Sequence, residues 1–258
     1  MYTLGIDVGS TTSKCVIMED GEKILARAIV VGGIGTAGPE KALNEVLTQC
    51  GLAVGDMSAI TATGYGRNRC EIAHHQVSEL SCHALGAHWV FPEVRTIIDI
   101  GGQDAKVISL SASGKMQNFL MNDKCAAGTG RFLDVMSNIL QIPVSELADY
   151  AAKAESPASI SSTCTVFAES EVISQLANGV AISDLVAGIC ESVASRVAAL
   201  AKRLEIVPAL CMSGGVARNA GVRLALERAL GMPILVSEDA QLFGAIGAAL
   251  HAFRKANQ

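Results

Sequence analysis

The sequence predicts an α/β fold built from two similar halves, on three observations. Short apolar runs alternate with amphipathic, helix-length segments along the whole chain. An opening strand–turn–strand occurs twice, Ile6-Asp7-Val8-Gly9 followed by Lys14, and Ile98-Asp99-Ile100-Gly101 followed by Lys106. In both copies the Gly lies two positions and the Lys seven positions after the Asp. Half of the 258 residues are hydrophobic and 17% are charged, which argues against disorder and supplies a large core.

In chain order, Tyr2–Ile6 and Lys14–Met18 read as strands flanking a Gly/Ser/Thr turn, and Asp20-Gly21 as a hairpin turn before a strand over Lys23–Val31. Pro39 to Cys50 reads as a helix, with Pro at its start, a stripe of Ala42, Leu43, Val46 and Leu47, and Gly51 at its end. A short strand at Ile60–Thr63 and a helix over Glu79–Trp89 follow. Thr96–Ile100 and Lys106–Leu110 repeat the opening pair, with Ser113-Gly114 in the place of Asp20-Gly21. Asp184 to Leu204 is the longest helical signal, its apolar face made by Leu185, Ile189, Val193, Val197, Leu200 and Leu204. Ala209–Met212 reads as a strand, Asn219–Leu230 as a helix, Ile234–Val236 as a strand and Ala240–Lys255 as a closing helix. The duplication places a first domain at 1–94 and a second at 95–239, with the closing helix, 240–258, returning to the first.

Charge and hydropathy exclude several classes. Against 25 Asp and Glu stand 20 Lys and Arg, a net charge of −5, which argues against a partner bound through nucleic-acid phosphates. The longest stretch free of Asp, Glu, Lys and Arg, Ala240 to Phe253, has 14 residues and falls short of the roughly 18 that span a bilayer. Asp7 interrupts the first apolar run, so the N-terminus does not read as a secretory signal. The expected compartment is cytoplasmic, with neither nucleic acid nor membrane as a partner. In that reducing setting the eight scattered cysteines, among which no CxxC pair occurs, read mostly as small buried hydrophobes rather than disulfides.

Three segments point to a polyphosphate ligand. Gly9-Ser10-Thr11-Thr12-Ser13-Lys14 gathers backbone N–H groups, hydroxyls and an ammonium in one turn, and it is not a P-loop, because GxxxxGK[ST] is absent. Gly101-Gly102-Gln103-Asp104 is the matching turn of the second half, where missing side chains let backbone approach phosphate. Asp7 and Asp99, at strand ends, are candidates for holding hydrated Mg²⁺. The third segment, Met212-Ser213-Gly214-Gly215, runs from a strand into a helix start and offers Gly214 and Gly215 as a flat surface for adenosine. Together the three resemble the actin, sugar-kinase and heat-shock-70 ATPase superfamily. That resemblance implies two ribonuclease-H-like domains closing on ATP or ADP, with the Gly244–Ala249 run in a connecting helix and Gln241 near the nucleotide.

Two cysteine segments stand apart. Asn122-Asp123-Lys124-Cys125-Ala126-Ala127-Gly128-Thr129-Gly130-Arg131-Phe132 and Ser161-Ser162-Thr163-Cys164-Thr165-Val166-Phe167-Ala168-Glu169-Ser170-Glu171 each lead into a helical stretch, which places each Cys at a helix start, where a thiolate is favoured. Two thiolates are too few for a [4Fe–4S] cluster, but a two-fold dimer would supply four. These segments, the Gly-Ile-Asp-Val-Gly-Ser-Thr opening, Ala62-Thr63-Gly64-Tyr65-Gly66-Arg67 and Glu79-Leu80-Ser81-Cys82-His83 resemble the activators of 2-hydroxyacyl-CoA dehydratases, a family that includes ATPase subunits of benzoyl-CoA reductase. The resemblance covers essentially the whole chain. It implies a homodimer holding one [4Fe–4S] cluster through Cys125 and Cys164, and ATP-driven delivery of single electrons to a partner dehydratase in anaerobic amino-acid fermentation. The substrate of that partner would be 2-hydroxyglutaryl-CoA, and the electron donor a ferredoxin or flavodoxin. Asp7 and Asp99 would then organise Mg²⁺, Ser10 to Lys14 with Gly101 to Gln103 would embrace the phosphates, and Gln103 and Asp104 are the candidates for orienting water. A small-metabolite kinase and a nucleotide-gated adaptor of the same fold, neither with a cluster, are the alternatives. Glu79 and His83 share a helix face at i,i+4, but lacking further ligands at matching spacing they read as structural.

Overall fold

The computed structural model describes residues 1–161 and 164–258. In chain order its strands are β1 (Tyr2–Val8), β2 (Thr12–Glu19), β3 (Lys23–Val31), β4 (Met57–Thr63), β5 (His75–Gln76), β6 (Thr96–Ile100), β7 (Ala105–Leu110), β8 (Met116–Asn122) and β9 (Leu210–Ser213). The helices are α1 (Gly38–Cys50), α2 (Glu79–Val90), α3 (Gly130–Leu140), α4 (Leu147–Ala151), α5 (Thr165–Ala177), α6 (Ile182–Ala201), α7 (Ala220–Leu230) and α8 (Phe243–Ala256). They gather into two compact units, one of residues 1–95, 110–117 and 239–258, the other of residues 96–109 and 118–238.

The first unit carries a five-stranded sheet in the order β3-β2-β1-β4-β5. β1 pairs antiparallel with β2 and parallel with β4. Alternation along β1 determines what covers each face of the sheet. Leu4, Ile6 and Val8 share one apolar cluster with Ala42 and Val46 of α1. Gly5 and Asp7 point the other way, toward α8. A Cβ on Gly5 would fall 2.0 Å from the carbonyl oxygen of Ala245, so glycine is what lets α8 settle directly on the strand. α2 packs in turn against α8.

The second unit carries a four-stranded sheet in the order β8-β7-β6-β9, with β6 antiparallel to β7 and parallel to β9. The β2-β1-β4 arrangement of the first unit is therefore repeated as β7-β6-β9. α6 packs against α4 and α7, and α3 against α5 and α6. Asn219 caps α7, its Oδ1 accepting from the Val222 N–H at 3.0 Å.

Several expectations need correction. α6 ends at Ala201, so Leu204 of the expected stripe lies beyond it; Leu185, Ile189, Val193 and Val197 are buried as the stripe required. Ile234–Val236 forms a single bridge, Leu235 to Cys211, rather than a strand. β8 has no counterpart in the sequence reading, because an edge strand exposed at most of its positions shows no alternation. No described helix is long and apolar enough to cross a membrane.

Candidate nucleotide site and exposed cysteines

In the first unit the antiparallel register of β1 and β2 sets Asp7 opposite Lys14, and Lys14 Nζ donates to Asp7 Oδ2 at 3.1 Å. The seven-residue spacing is thus the consequence of a tight turn between two strands. That turn is closed by the Gly9 N–H donating to the Thr12 carbonyl at 3.0 Å, and by the Ile34 N–H donating to the Gly9 carbonyl at 3.0 Å. Gly33 lies on it so closely that a Cβ there would fall 2.3 Å from the Gly9 oxygen and 2.5 Å from the Ser10 carbonyl carbon. Ser10 and Thr12 are half-buried and Thr11 is exposed, which leaves these three available to a ligand. Ser13, expected with them, is fully buried, and its hydroxyl donates to the Gly32 carbonyl at 2.7 Å; it ties β2 to the Gly32–Gly33 segment instead.

The second unit repeats this construction. Asp99 faces Lys106 across β6 and β7, at 3.2 Å from Oδ2 to Nζ. Lys106 also reaches Asp104 Oδ1 at 2.7 Å, and all three side chains are buried. The Gly101 N–H closes the turn on the Asp104 carbonyl at 2.9 Å. The start of α3 covers it, with the Gly130 and Arg131 N–H groups donating to the Gly101 and Gly102 carbonyls at 2.9 and 2.8 Å. Of the two residues expected to orient water, Asp104 is engaged with Lys106 and buried, whereas Gln103 is exposed.

The pairing extends to the parallel neighbours. Asp7 is in register with Thr63 on β4, and Asp99 with Ser213 on β9. Each hydroxyl residue is followed by a glycine of positive φ, Gly64 at +83° and Gly214 at +84°. A Cβ on Gly64 would fall 2.5 Å from Asp7 Oδ1 and 2.5 Å from the Val8 carbonyl oxygen. On Gly214 it would fall 2.8 Å from Asp99 Oδ1 and 2.3 Å from the Ile100 carbonyl oxygen. Both glycines press the next loop against the carboxylate in a conformation that a side chain would strain. Gly214 and Gly215 were expected at the nucleotide, whereas Gly64 was expected only as part of the family-like segment Ala62 to Arg67, although Thr63-Gly64 and Ser213-Gly214 share a pattern. Gly215 is exposed beside buried Gly214, and Gln241 is half-buried in a short 3₁₀ turn ahead of α8.

The cysteines divide by exposure. Cys15, Cys82, Cys190 and Cys211 are buried and Cys50 and Cys70 half-buried; Cys125 and Cys164 are exposed. Burial pushes the Cys82 and Cys190 thiols up to about 12, which makes them inert as nucleophiles and ligands near neutral pH. Cys164 is the N-cap residue of α5. Cys125 is not at a helix start: α3 begins at Gly130, and Cys125 lies in the turn after β8. Asn122 shapes that turn, its Nδ2 donating to the carbonyls of Cys125 at 2.9 Å and Ala127 at 3.3 Å, and its Oδ1 accepting from the Cys125 N–H at 3.3 Å. Ser162 and Thr163 of the second cysteine segment lie outside the described residues. Apolar side chains are exposed next to both thiols, Phe119 and Met121 ahead of Cys125 and Val166 and Phe167 after Cys164.

Comparisons with known proteins give the family and the fold. The model of the BadF/BadG/BcrA/BcrD ATPase family matches residues 4–252. The chain is 59% identical over 257 residues to the (R)-2-hydroxyglutaryl-CoA dehydratase activating ATPase of Acidaminococcus fermentans, covering 99% of this chain and 98% of that one. The crystal structure of the A. fermentans dehydratase component A superimposes with a TM-score of 0.98 over all of both chains. The activator of the 2-hydroxyisocaproyl-CoA dehydratase from Clostridium difficile, solved with bound ADPNP, is 53% identical and also superimposes at 0.98, over 100% of this chain and 96% of that one. A ROK family glucokinase from Streptomyces griseus shares the fold at a TM-score of 0.58 and 14% identity, over 98% and 100% of the two chains. The fold is that of the actin and sugar-kinase type of ATPase.

Proposed function

Because the chain belongs to the BadF/BadG/BcrA/BcrD ATPase family, we propose that it hydrolyses Mg²⁺·ATP to drive single electrons into a 2-hydroxyacyl-CoA dehydratase, with (R)-2-hydroxyglutaryl-CoA as that enzyme's substrate. The observation that carries the ATPase half is the doubled site: two buried carboxylates each paired with a Lys, each backed by a positive-φ glycine and each beside a turn of exposed or half-buried residues. Neutralised carboxylates at strand ends suit the outer shell of Mg²⁺, and Asp7 and Asp99 would hold it through water. Ser10, Thr11, Thr12, Gly101 and Gly102 would receive the phosphates, which need backbone donors and hydroxyls rather than deep side-chain pockets. Lys14 and Lys106 hold the two carboxylates in place from β2 and β7. Gln103, exposed at the tip of the second turn, is the stronger candidate for orienting water.

For the electron-transfer half, the donor set fits an iron–sulfur group. Cys125 and Cys164 are the exposed thiols of eight, and both belong to the second unit. A homodimer would bring four such thiolates to one [4Fe–4S] cluster. When bound, that cluster supplies the one-electron chemistry. The chain's own part is to present the two thiols in an Asn122-shaped turn and at an α5 N-terminus, where the helix dipole favours negative charge. The exposed apolar side chains beside both thiols suit a surface that another protein covers. A ferredoxin or flavodoxin would reload it.

Anaerobic protein mixed with ATP, a reduced ferredoxin and the purified dehydratase should show ATP-dependent reduction of that partner. ATP-dependent phosphorylation of a small metabolite by iron-free protein would favour the kinase reading instead, and neither activity would leave an adaptor.

A further inference from the structure

We propose that His83 is a positioning residue for Asp7, holding the carboxylate that serves the nucleotide's metal ion; this rests on the reading of Asp7 given above. The imidazole borders the same space as the Asp7 carboxylate because α2 and α8 approach through glycines. A Cβ on Gly247 would fall 1.8 Å from the Cys82 carbonyl oxygen, and one on Gly86 would fall 2.0 Å from the Phe243 carbonyl oxygen. These two contacts pin α2 on either side of His83, which is 7% exposed. Gly244, in the first turn of α8, is the gap between the two groups. A Cβ there would fall 2.9 Å from Asp7 Oδ2 and 3.1 Å from His83 Nε2, so both atoms border the same side-chain-sized space. The two atoms therefore lie no more than 6.0 Å apart, a gap that one bridging water can span.

The direction of Asp7 explains why an imidazole is useful. Asp7 points to the α8 face of β1, with Oδ2 accepting from Lys14 at 3.1 Å and Oδ1 against Gly64. The duplicated site solves the same problem differently: Lys106 bridges Asp99 to a second carboxylate, Asp104. Among the described residues Lys14 pairs with Asp7 alone, and the neighbour on the Oδ2 side is His83. Residues behind a metal-organising carboxylate fix its orientation, and their loss typically lowers metal affinity 10- to 100-fold.

The test compares His83→Leu, His83→Gln and His83→Asn, measuring ADP affinity by calorimetry with and without Mg²⁺, ATPase kcat and KM, and thermal unfolding. The glutamine amide can reach the place of Nε2; the asparagine amide cannot. His83→Leu and His83→Asn should lose about tenfold of the Mg²⁺-dependent gain in ADP affinity, with Mg²⁺-free affinity within about twofold of wild type. kcat should fall with it, and His83→Gln should recover most of both. If His83→Leu does not fold, the Gln and Asn variants decide. A folded His83→Asn protein with the wild-type Mg²⁺ response overturns the proposal while leaving Asp7's role intact. Wild-type protein whose ADP affinity ignores Mg²⁺ overturns the reading of Asp7 and this inference with it.

Discussion

Single thiols and single ammonium groups in this chain have measurable consequences. Desolvation raises Cys82 and Cys190 from 9.0 to about 12, with Thr63 pulling Cys82 back slightly by a hydrogen bond. Their folded values lie above the unfolded ones, so the stability they contribute is complete below pH 9 and is lost as pH rises toward 12. Across that window each costs about 1.4 kcal/mol per pH unit, because unfolding releases its proton. Chemical denaturation between pH 8 and about 11 should therefore show a falling midpoint, and a Cys82→Ala/Cys190→Ala protein a shallower fall; equal slopes would contradict the burial argument. In cluster-free native protein, Cys125 and Cys164 should alkylate fast and these two only after unfolding. Lys106 is the second case. It sits between two carboxylates that are themselves buried. Lys106→Met removes the ammonium both share and should cost about 3–5 kcal/mol in urea unfolding, with Asp104→Asn in the same chain returning part of it. An unchanged midpoint would show that the pair is not what holds the second turn.

At the level of elements, backbone contact rather than side-chain packing fixes how α8 sits in the first unit. Gly5, Gly86 and Gly247 each bring a carbonyl oxygen to about 2 Å from where a Cβ would be. A methyl group cannot be accommodated there by rotating a side chain, since the obstacle is the neighbour's backbone. Gly247→Ala should thus destabilise by about 3 kcal/mol or more and shift α2 off α8. Gly179 is the control, with φ +80° but open space around it. Gly179→Ala should cost only the left-handed backbone penalty, about 1 kcal/mol. Comparable losses at the two positions would mean that helix spacing in this unit is not set by these contacts. The duplicated turns follow the same logic, since Gly33 and Gly130 bring a second segment onto each strand-to-strand turn.

For the whole molecule, the two Asp–Lys turns proposed for the nucleotide belong to different units, and both exposed cysteines belong to one. If two chains share one cluster, anaerobic protein should contain about four irons per two chains. Cys125→Ala or Cys164→Ala should lose that iron and keep ADP binding. Asp7→Ala should do the reverse, retaining iron while losing ATPase activity and ATP-dependent reduction of the dehydratase. Binding energy at one site can bias another only through states that differ at both, so the two readouts must be taken on one preparation. Normal partner reduction by an Asp7→Ala protein that no longer hydrolyses ATP would sink the coupling.

Much of this was legible in the sequence for a definite reason. The repeated offsets of Asp7 with Lys14 and Asp99 with Lys106 were legible because strand register across a short turn sets them; Lys14 was expected at the phosphates, and its pairing with Asp7 came from the structure. The cysteine segments were legible because their residue order is distinctive. What the tertiary structure decided was everything that depends on approach from elsewhere in the chain. Gly64 and Gly33 join the Asp7 turn from β4 and from the segment after β3, and Gly130 joins the Asp99 turn from α3. Ser13 turned inward to Gly32, Asp104 turned to Lys106, and Cys125 fell in a turn that Asn122 shapes rather than at a helix start. His83 read as structural on its own helix, and the glycine contacts between α2 and α8 are what bring it to the space that Asp7 also borders. Spacing along a chain reports neighbours within an element; close contact between elements depends on where side chains are missing on both, and no single segment records that.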